Sequence, residues 1–337
     1  VKILGIESSC DECSIAVVED GKTILSHVVA TQIEFHKPFA GVVPEIASRK
    51  HVEWILPVFH QALEQGGLSP GDIQGIGVTN RPGLSGSLIV GLTFAKALSL
   101  SWKVPFVGVD HVLAHLYAPQ LSAEIDYPFI GLLVSGGHSI IARVSGPLTV
   151  EVLGASIDDA IGEAFDKVAK HLGLGYPGGK VIDDLARKGN AKAFQFPFAN
   201  LYKSGHAYDV SYSGLKNAVI NQQDLFWDGE SPRSIENICA SFERVAVDTL
   251  LKKLQAACRD TGINRVVAGG GVAANSYLRD RLQGMQDIRA YYPPLDLCTD
   301  NGAMIAGLAF HYLTAGLRSG LDETVYAKVP GFRRITS

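Results

Sequence analysis

Apolar, β-rich runs at residues 2–7 (KILGIE), 14–19 (SIAVVE) and 23–30 (TILSHVVA) are separated by a polar turn and by Asp20-Gly21. This is the signature of a strand meander. The same order returns at 128–134 (PFIGLLV), 138–144 (HSIIARV) and 148–153 (LTVEVL), with Ser145-Gly146-Pro147 at the second turn. After the first meander, helical spacing over 42–65, with a kink expected at Pro57, is followed by a strand at 73–79. A helix of small residues at 86–101, a strand at 104–109 and a short helix at 111–118 complete this half. After the second meander the pattern predicts helices at 158–172, 179–188, 213–222, 233–260, 273–284 and 301–315, with strands near 265–268 and 289–292. The expectation is an internally duplicated α/β chain: lobes at 1–127 and 128–337, with a ligand cleft between them.

Composition narrows the class. The 337 residues are 47% hydrophobic, enough for two buried cores. No apolar run approaches 20 residues and the opening VKILGIESSCDEC has no signal-like pattern, so a cytoplasmic protein without a membrane segment is expected. Five scattered cysteines fit reduced thiols, and Cys10-x-x-Cys13 reads as a structural turn rather than a zinc or redox motif. A formal charge of −4 argues against nucleic-acid binding by bulk electrostatics, leaving local patches or partner subunits.

Candidate chemistry lies at the turns. His111 and His115 stand four apart, so on a helix both imidazoles project from one face and could grip one metal ion, provided a third ligand comes from elsewhere. Val112 stands where the general base of an H-E-x-x-H zinc protease would be, which excludes that chemistry. Asp300, in CTDNGAMIAG, reads equally as a helix cap or as a carboxylate ligand. Two imidazoles and a carboxylate suit Fe(II) or zinc with open coordination positions. The turn VSGGH offers backbone N–H groups to an anion, or is a plain hairpin. VVAGGGVAAN reads as strand, triple glycine and helix, which lets a ligand approach a helix N-terminus. Asp11 and Glu12 are candidate catalytic carboxyls on the first turn, with a solvated turn as the alternative.

Taken together, GIESSCDE, AGVVPEIASRKH, PGLSGSLIVG, DHVLAHLYAP, LLVSGGH, SIDDAIGEAFDKVAK, YPGG, SYSGLK, ASFERVAVDTL, GGGVAAN and CTDNGAMIA are similar, in order and over nearly the whole chain, to motifs of the bacterial TsaD (Gcp) family. The resemblance implies a two-lobed ASKHA fold, the architecture of actin, heat-shock ATPases and sugar kinases. It further implies transfer of a threonylcarbamoyl group from threonylcarbamoyl-adenylate to the exocyclic amine of the adenosine next to the anticodon, in tRNAs reading ANN codons. By the same resemblance His111, His115 and Asp300 bind a divalent metal, with Fe(II) favoured over zinc. Leu133, Val134, Ser135, Gly136 and Gly137 contact substrate, and Asp166, Gly179, Asp183 and Asn275 lie on the nucleotide side. Implied partners are tRNA, a TsaB-like paralogue and a TsaE-like ATPase, in a homodimer or heterocomplex. Cys13, Ala40 and Arg81 depart from the threonine, glycine and glycine expected at their positions. The rival functions are an ASKHA phosphotransferase or ATPase, which would hold Mg²⁺ through carboxylates rather than imidazoles, and a non-catalytic scaffold.

Overall fold

The structure is a computed structural model and describes residues 1–198, 201 and 207–328. Contacts divide the chain into two units, the first comprising Val1–Asp126, Ser145–Val150 and the described residues from Pro293 onward. Its sheet is built from β1 (Lys2–Glu7), β2 (Glu12–Glu19), β3 (Thr23–Thr31), β4 (Gly75–Arg81) and β5 (Phe106–Asp110), in the order β3-β2-β1-β4-β5. The first three strands form the antiparallel meander; β4 and β5 add in parallel.

Alternation along the strands serves two cores at once. Leu4, Ile6, Ile15, Val17, Ile76 and Val78 pack with residues of α2 (Pro44–Gly66) and α3 (Ser85–Trp102), reached through the short α1 (Ile33–His36). Ile3, Ala16, Val18, Val107 and Val109 cluster instead with α4 (His111–Tyr117) and with the last described helix, Gly302–Thr314. Helix α2 runs without a break through Pro57.

The second unit contains Tyr127–Val144 and Glu151–Tyr292. Strands β6 (Phe129–Val134), β7 (Ser139–Gly146), β8 (Thr149–Ala155), β9 (Arg265–Gly269) and β10 (Arg289–Tyr291) lie in the order β10-β9-β6-β7-β8. That is the order of the first sheet repeated, so the duplication expected from the meanders extends to the parallel strands. Its helices are α5 (Ile161–His171), α6 (Gly178–Ala186), α7 (Ser213–Asn221), α8 (Ile235–Thr261) and α9 (Ser276–Gln283). Ile130, Leu132 and Val134 of β6 share one core with Phe165 of α5 and with Phe242 and Leu250 of α8. Helix α5 starts three residues later than expected because Asp158 accepts the Tyr212 and Ser213 N–H groups at the head of α7, while Asp159 is ion-paired with Lys167 and Lys216.

The units are not consecutive halves, as a division at 127/128 would have them. Helix α10 (Gly302–Thr314) belongs to the first unit, and the reason is its composition: Gly302 through Ala309 are all buried, so it needs apolar neighbours on every side. Glycine makes the fit. A Cβ on Gly5 would lie 2.1 Å from the Gly302 carbonyl oxygen, and one on Gly77 would lie 2.4 Å from the Ala309 methyl. The Ser14 hydroxyl anchors the head of α10 by accepting the Gly302 N–H at 2.9 Å while donating to the Val28 carbonyl.

The three departures have local accounts. Cys13 is buried in the α2/α3-side core and burial pushes its thiol up to about 12, so it packs as a small apolar residue. Ala40 holds φ +51°, a left-handed conformation that costs a non-glycine residue about 1–2 kcal/mol. Arg81 lies 3.5 Å from the Asp110 carboxylate.

Candidate metal centre and nucleotide-side turns

Strand β5 ends at Asp110 and α4 begins at the next residue. The Asp110 carboxylate caps that helix, accepting the Val112 N–H at 2.9 Å and the Leu113 N–H at 3.2 Å. His111 is thereby fixed in the first helical position, with His115 one turn later. The two Nε2 atoms are 3.2 Å apart, and Asp300 Oδ1 lies 3.0 Å from His115 Nε2 and 3.4 Å from His111 Nε2. Asp300 is not the cap of α10: Asn301 is, through the Met304 N–H, so the Asp300 carboxylate is released from that duty.

The three candidate ligand atoms all lie within 4.8 Å of one another, and the set suits a divalent ion. Its electrostatics agree. Burial disfavours a charge on His111, but the Asp300 and Glu7 carboxylates outweigh burial and hold its pKa well above the usual value. Burial and then the His111 charge lower His115. Asp300 is held far below the carboxylate range, because the two imidazoles overcome the burial that would raise it.

Glu7, which the sequence did not single out, lies fully buried behind this cluster. Its Oε1 accepts the Ser9 N–H at 2.6 Å, and its Oε2 accepts the Thr79 hydroxyl at 2.6 Å and lies 3.0 Å from His111 Nδ1. A charged residue ending an otherwise apolar strand was the available signal, because a buried carboxylate needs donors nearby. Asp11 is buried on the β1–β2 turn and Glu12 opens β2. Burial first, then Asp11 and Asp300, push the Glu12 carboxyl well above the usual carboxylate range. All five cysteines are free thiols.

The second unit holds the other candidates. Leu133 and Val134 are fully buried within β6, so only their backbone could meet a ligand. Ser135 is half-buried, and Gly136 and Gly137 are exposed with no atom within 4 Å of a Cβ position; the Ser135 N–H closes the turn onto the His138 carbonyl at 2.8 Å. The triple glycine does not open directly into an α-helix, as expected, but into a 3₁₀ turn at Gly271–Ala274. Gly270, at φ +89°, allows the close approach of β9 to β6, since its Cβ would lie 2.4 Å from the Val134 carbonyl oxygen. Asn275 caps α9 through the Leu278 N–H at 2.8 Å and donates Nδ2–H to Glu243 at 2.6 Å. Asp166 accepts the Gly178 N–H at the head of α6 at 2.7 Å, and Gly179 has open space beside it.

Asp183 is not at the start of its helix, because α6 begins at Gly178; it sits mid-helix. Its carboxylate accepts the Ser276 N–H at 3.0 Å and the Ser276 hydroxyl, and lies near Arg187. These partners predict separable phenotypes. Asp183→Ala should lower the melting temperature by the equivalent of about 1–3 kcal/mol and change adenylate affinity less than about threefold, whereas Asn275→Ala, which retains an uncommitted Nδ2 hydrogen in the wild type, should also weaken adenylate binding by about 1–3 kcal/mol. Calorimetric melting and titration of the two variants separate these outcomes.

Glu243 adds a pH effect. Burial, together with the Asp183 charge and against the Asn275 hydrogen bond, raises its carboxyl to about 7 from an ordinary 4.5. An acid with a raised folded-state pKa contributes stability that is complete below pH 4.5 and lost as pH climbs through 7. The difference amounts to roughly 3 kcal/mol. Glu243→Gln keeps an acceptor for Asn275, so urea unfolding at pH 5 and pH 8 should show that loss in the wild type and little of it in the variant.

Two sheets of the same strand order, each carrying helices, define an α/β protein of the ASKHA class. Solved structures agree in fold: full-length HypF in its phosphate- and nucleotide-bound form superposes with a TM-score of 0.61 at 14% identity, over 97% of this chain and 56% of HypF. Component A of the Acidaminococcus fermentans (R)-2-hydroxyglutaryl-CoA dehydratase gives 0.54 at 16% identity, over 94% and 99%. Within that class the chain belongs to the TsaD family, tRNA N6-adenosine threonylcarbamoyltransferases, whose signature it matches over residues 23–307. It is 59% identical over 334 residues to the tRNA N6-adenosine threonylcarbamoyltransferase of Treponema denticola, covering 99% of both chains. The proteins of that name from Treponema pallidum and Borrelia garinii are each 50% identical over 334 residues, covering 99% of this chain and 95% and 98% of theirs. These relationships set aside the phosphotransferase and scaffold readings.

Proposed function

We propose that this chain transfers the threonylcarbamoyl group of threonylcarbamoyl-adenylate to the N6 amine of the adenosine adjoining the anticodon, with a divalent metal held by His111, His115 and Asp300. The observation that carries the metal assignment is the convergence of two imidazole nitrogens and one carboxylate oxygen on one point. Iron(II) is the ion we assign, and zinc also fits the donor set. Bound there, the ion would polarise the carbamoyl carbonyl and stabilise charge on its oxygen.

The protein's own groups perform the remaining tasks. The adenosine amine attacks the carbamoyl carbon, the bond from that carbon to the phosphate oxygen breaks, and AMP departs with the electron pair. The amine loses one proton on forming the C–N bond. Asp11 and Glu12, adjoining on the first turn, are the carboxyls we assign to receive it, and burial first, then Asp11 and Asp300, push the Glu12 carboxyl well above the usual range. The backbone at Ser135, Gly136 and Gly137 receives phosphate, while Asp166 and Asp183 shape the turns at Gly179 and Asn275 on the nucleotide side. The base is expected to be splayed from its loop before it reacts.

Among the described residues no helix is long and apolar enough to cross a membrane. We assign the chain to the cytoplasm with its tRNA. With a net charge of −4, affinity for tRNA should come from a complex with TsaB-like and TsaE-like partners more than from the lone chain. The test is a transfer assay on unmodified tRNA with synthetic threonylcarbamoyl-adenylate and added iron(II) or zinc, with and without those partners. Modified adenosine should form in the complete mixture, and RNA binding should weaken steeply with salt. A complete mixture that yields none would refute the function.

A further inference from the structure

Glu7 is a side chain to which the reaction above gives no task, yet its surroundings are unusually restrictive. It is fully buried at the end of β1, and all of its hydrogen-bonding capacity is directed at donors: the Ser9 N–H on one oxygen, the Thr79 hydroxyl and the His111 ring on the other. The backbone N–H of Ser9 can only donate. An amide in place of the carboxylate could therefore satisfy Ser9 with its oxygen only by turning its NH₂ toward His111, or satisfy His111 only by setting N–H against N–H at Ser9. A carboxylate alone accepts on both sides.

This matters for His111, whose two nitrogens compete for one proton in the neutral ring. A proton on Nε2 would point at His115 Nε2 and Asp300 and occupy the lone pair needed there. We propose that Glu7 is a positioning residue that, whenever the His111 ring is neutral, keeps its single proton on Nδ1, so that the Nε2 lone pair is the one presented beside His115 and Asp300. The Ser9 N–H and the Thr79 hydroxyl act through Glu7, holding its carboxylate where it can accept the Nδ1 proton, and the Ser9 hydroxyl, 3.2 Å from the same Nδ1, can share that proton as a second acceptor. The inference rests on His111 being a metal ligand, and carboxylate partners of ligating histidines tune affinity strongly.

The test uses zinc as the probe and reads affinity by competition with a chromophoric chelator, alongside the melting temperature. His111→Ala should lose zinc. Glu7→Gln, nearly isosteric, should remain folded at 25 °C and bind zinc about 10- to 100-fold more weakly. In addition, the ¹H–¹⁵N spectrum of zinc-loaded wild-type protein should contain an imidazole Nδ1–H signal that disappears in His111→Ala; this readout does not depend on how the Glu7 variant folds. Zinc affinity within threefold of wild type in folded Glu7→Gln, or a His111 Nδ1 that carries no proton, overturns the role of Glu7. Undiminished zinc binding by His111→Ala overturns the ligand assignment itself, and this proposal with it.

Discussion

Alanine at Asp300 or His115 should remove most bound metal and lower threonylcarbamoyl transfer on the order of 10²- to 10³-fold, because several kcal/mol of charge stabilisation is withdrawn. Asp300 brings the formal negative charge among the three ligands, and His115 is the most enclosed of them. The fold should survive Asp300→Ala, since Asn301 caps α10 and Ser14 anchors it. Metal analysis of the purified variants beside the transfer assay checks both halves of the expectation. Full occupancy in both variants would dismiss the site, whatever happened to the rate.

The second large effect is expected at a residue with no side chain. In Gly5→Ala the new methyl meets the Gly302 carbonyl oxygen at 2.1 Å and the Ala306 nitrogen at 2.5 Å. Both are backbone atoms and cannot swing aside, so α10 must lift from the sheet. We expect a loss of about 3 kcal/mol or more of stability, at the upper end of overpacking costs. Because Asp300 precedes Gly302 by two residues, metal affinity should fall as well. Gly136→Ala is the control: nothing lies within 4 Å of its Cβ, and its unfolding curve should coincide with that of the wild type. Equal stability of Gly5→Ala and wild type in urea would contradict the packing described for α10.

Much of this architecture was legible in the order of apolar residues, for a physical reason. Strand alternation is a local property, and Ile3 against Leu4 or Ala16 against Val17 already sorts side chains to opposite faces. The histidine pair was legible because four-residue spacing is also local. What lay beyond reach was register between distant segments. Asp300 is 185 residues from His115, and its place there depends on Gly5 and Ser14 receiving the head of α10. The residues alone left Asp300 open between cap and ligand, and the resemblance supplied the choice. The partner of Asp183 was out of reach for the same reason: the helix begins at Gly178, close to the expected 179, but that it turns Asp183 toward Ser276, 93 residues on, is not a local property. Glu7 was passed over since a lone carboxylate in an apolar strand discloses its donors only in three dimensions.

The return of α10 to the first sheet also governs when this protein can become itself during synthesis. One face of that sheet, with Ile3, Ala16, Val18, Val107 and Val109, is completed by residues 302–314, so the nascent first unit emerges with apolar surface bare and its histidines lacking their carboxylate. At about 5–20 residues per second, the ribosome needs roughly 10–40 s to travel from residue 126 to residue 314. During that interval the half-built chain carries two of the three candidate ligands, so the site proposed here is complete only after translation has passed Asp300.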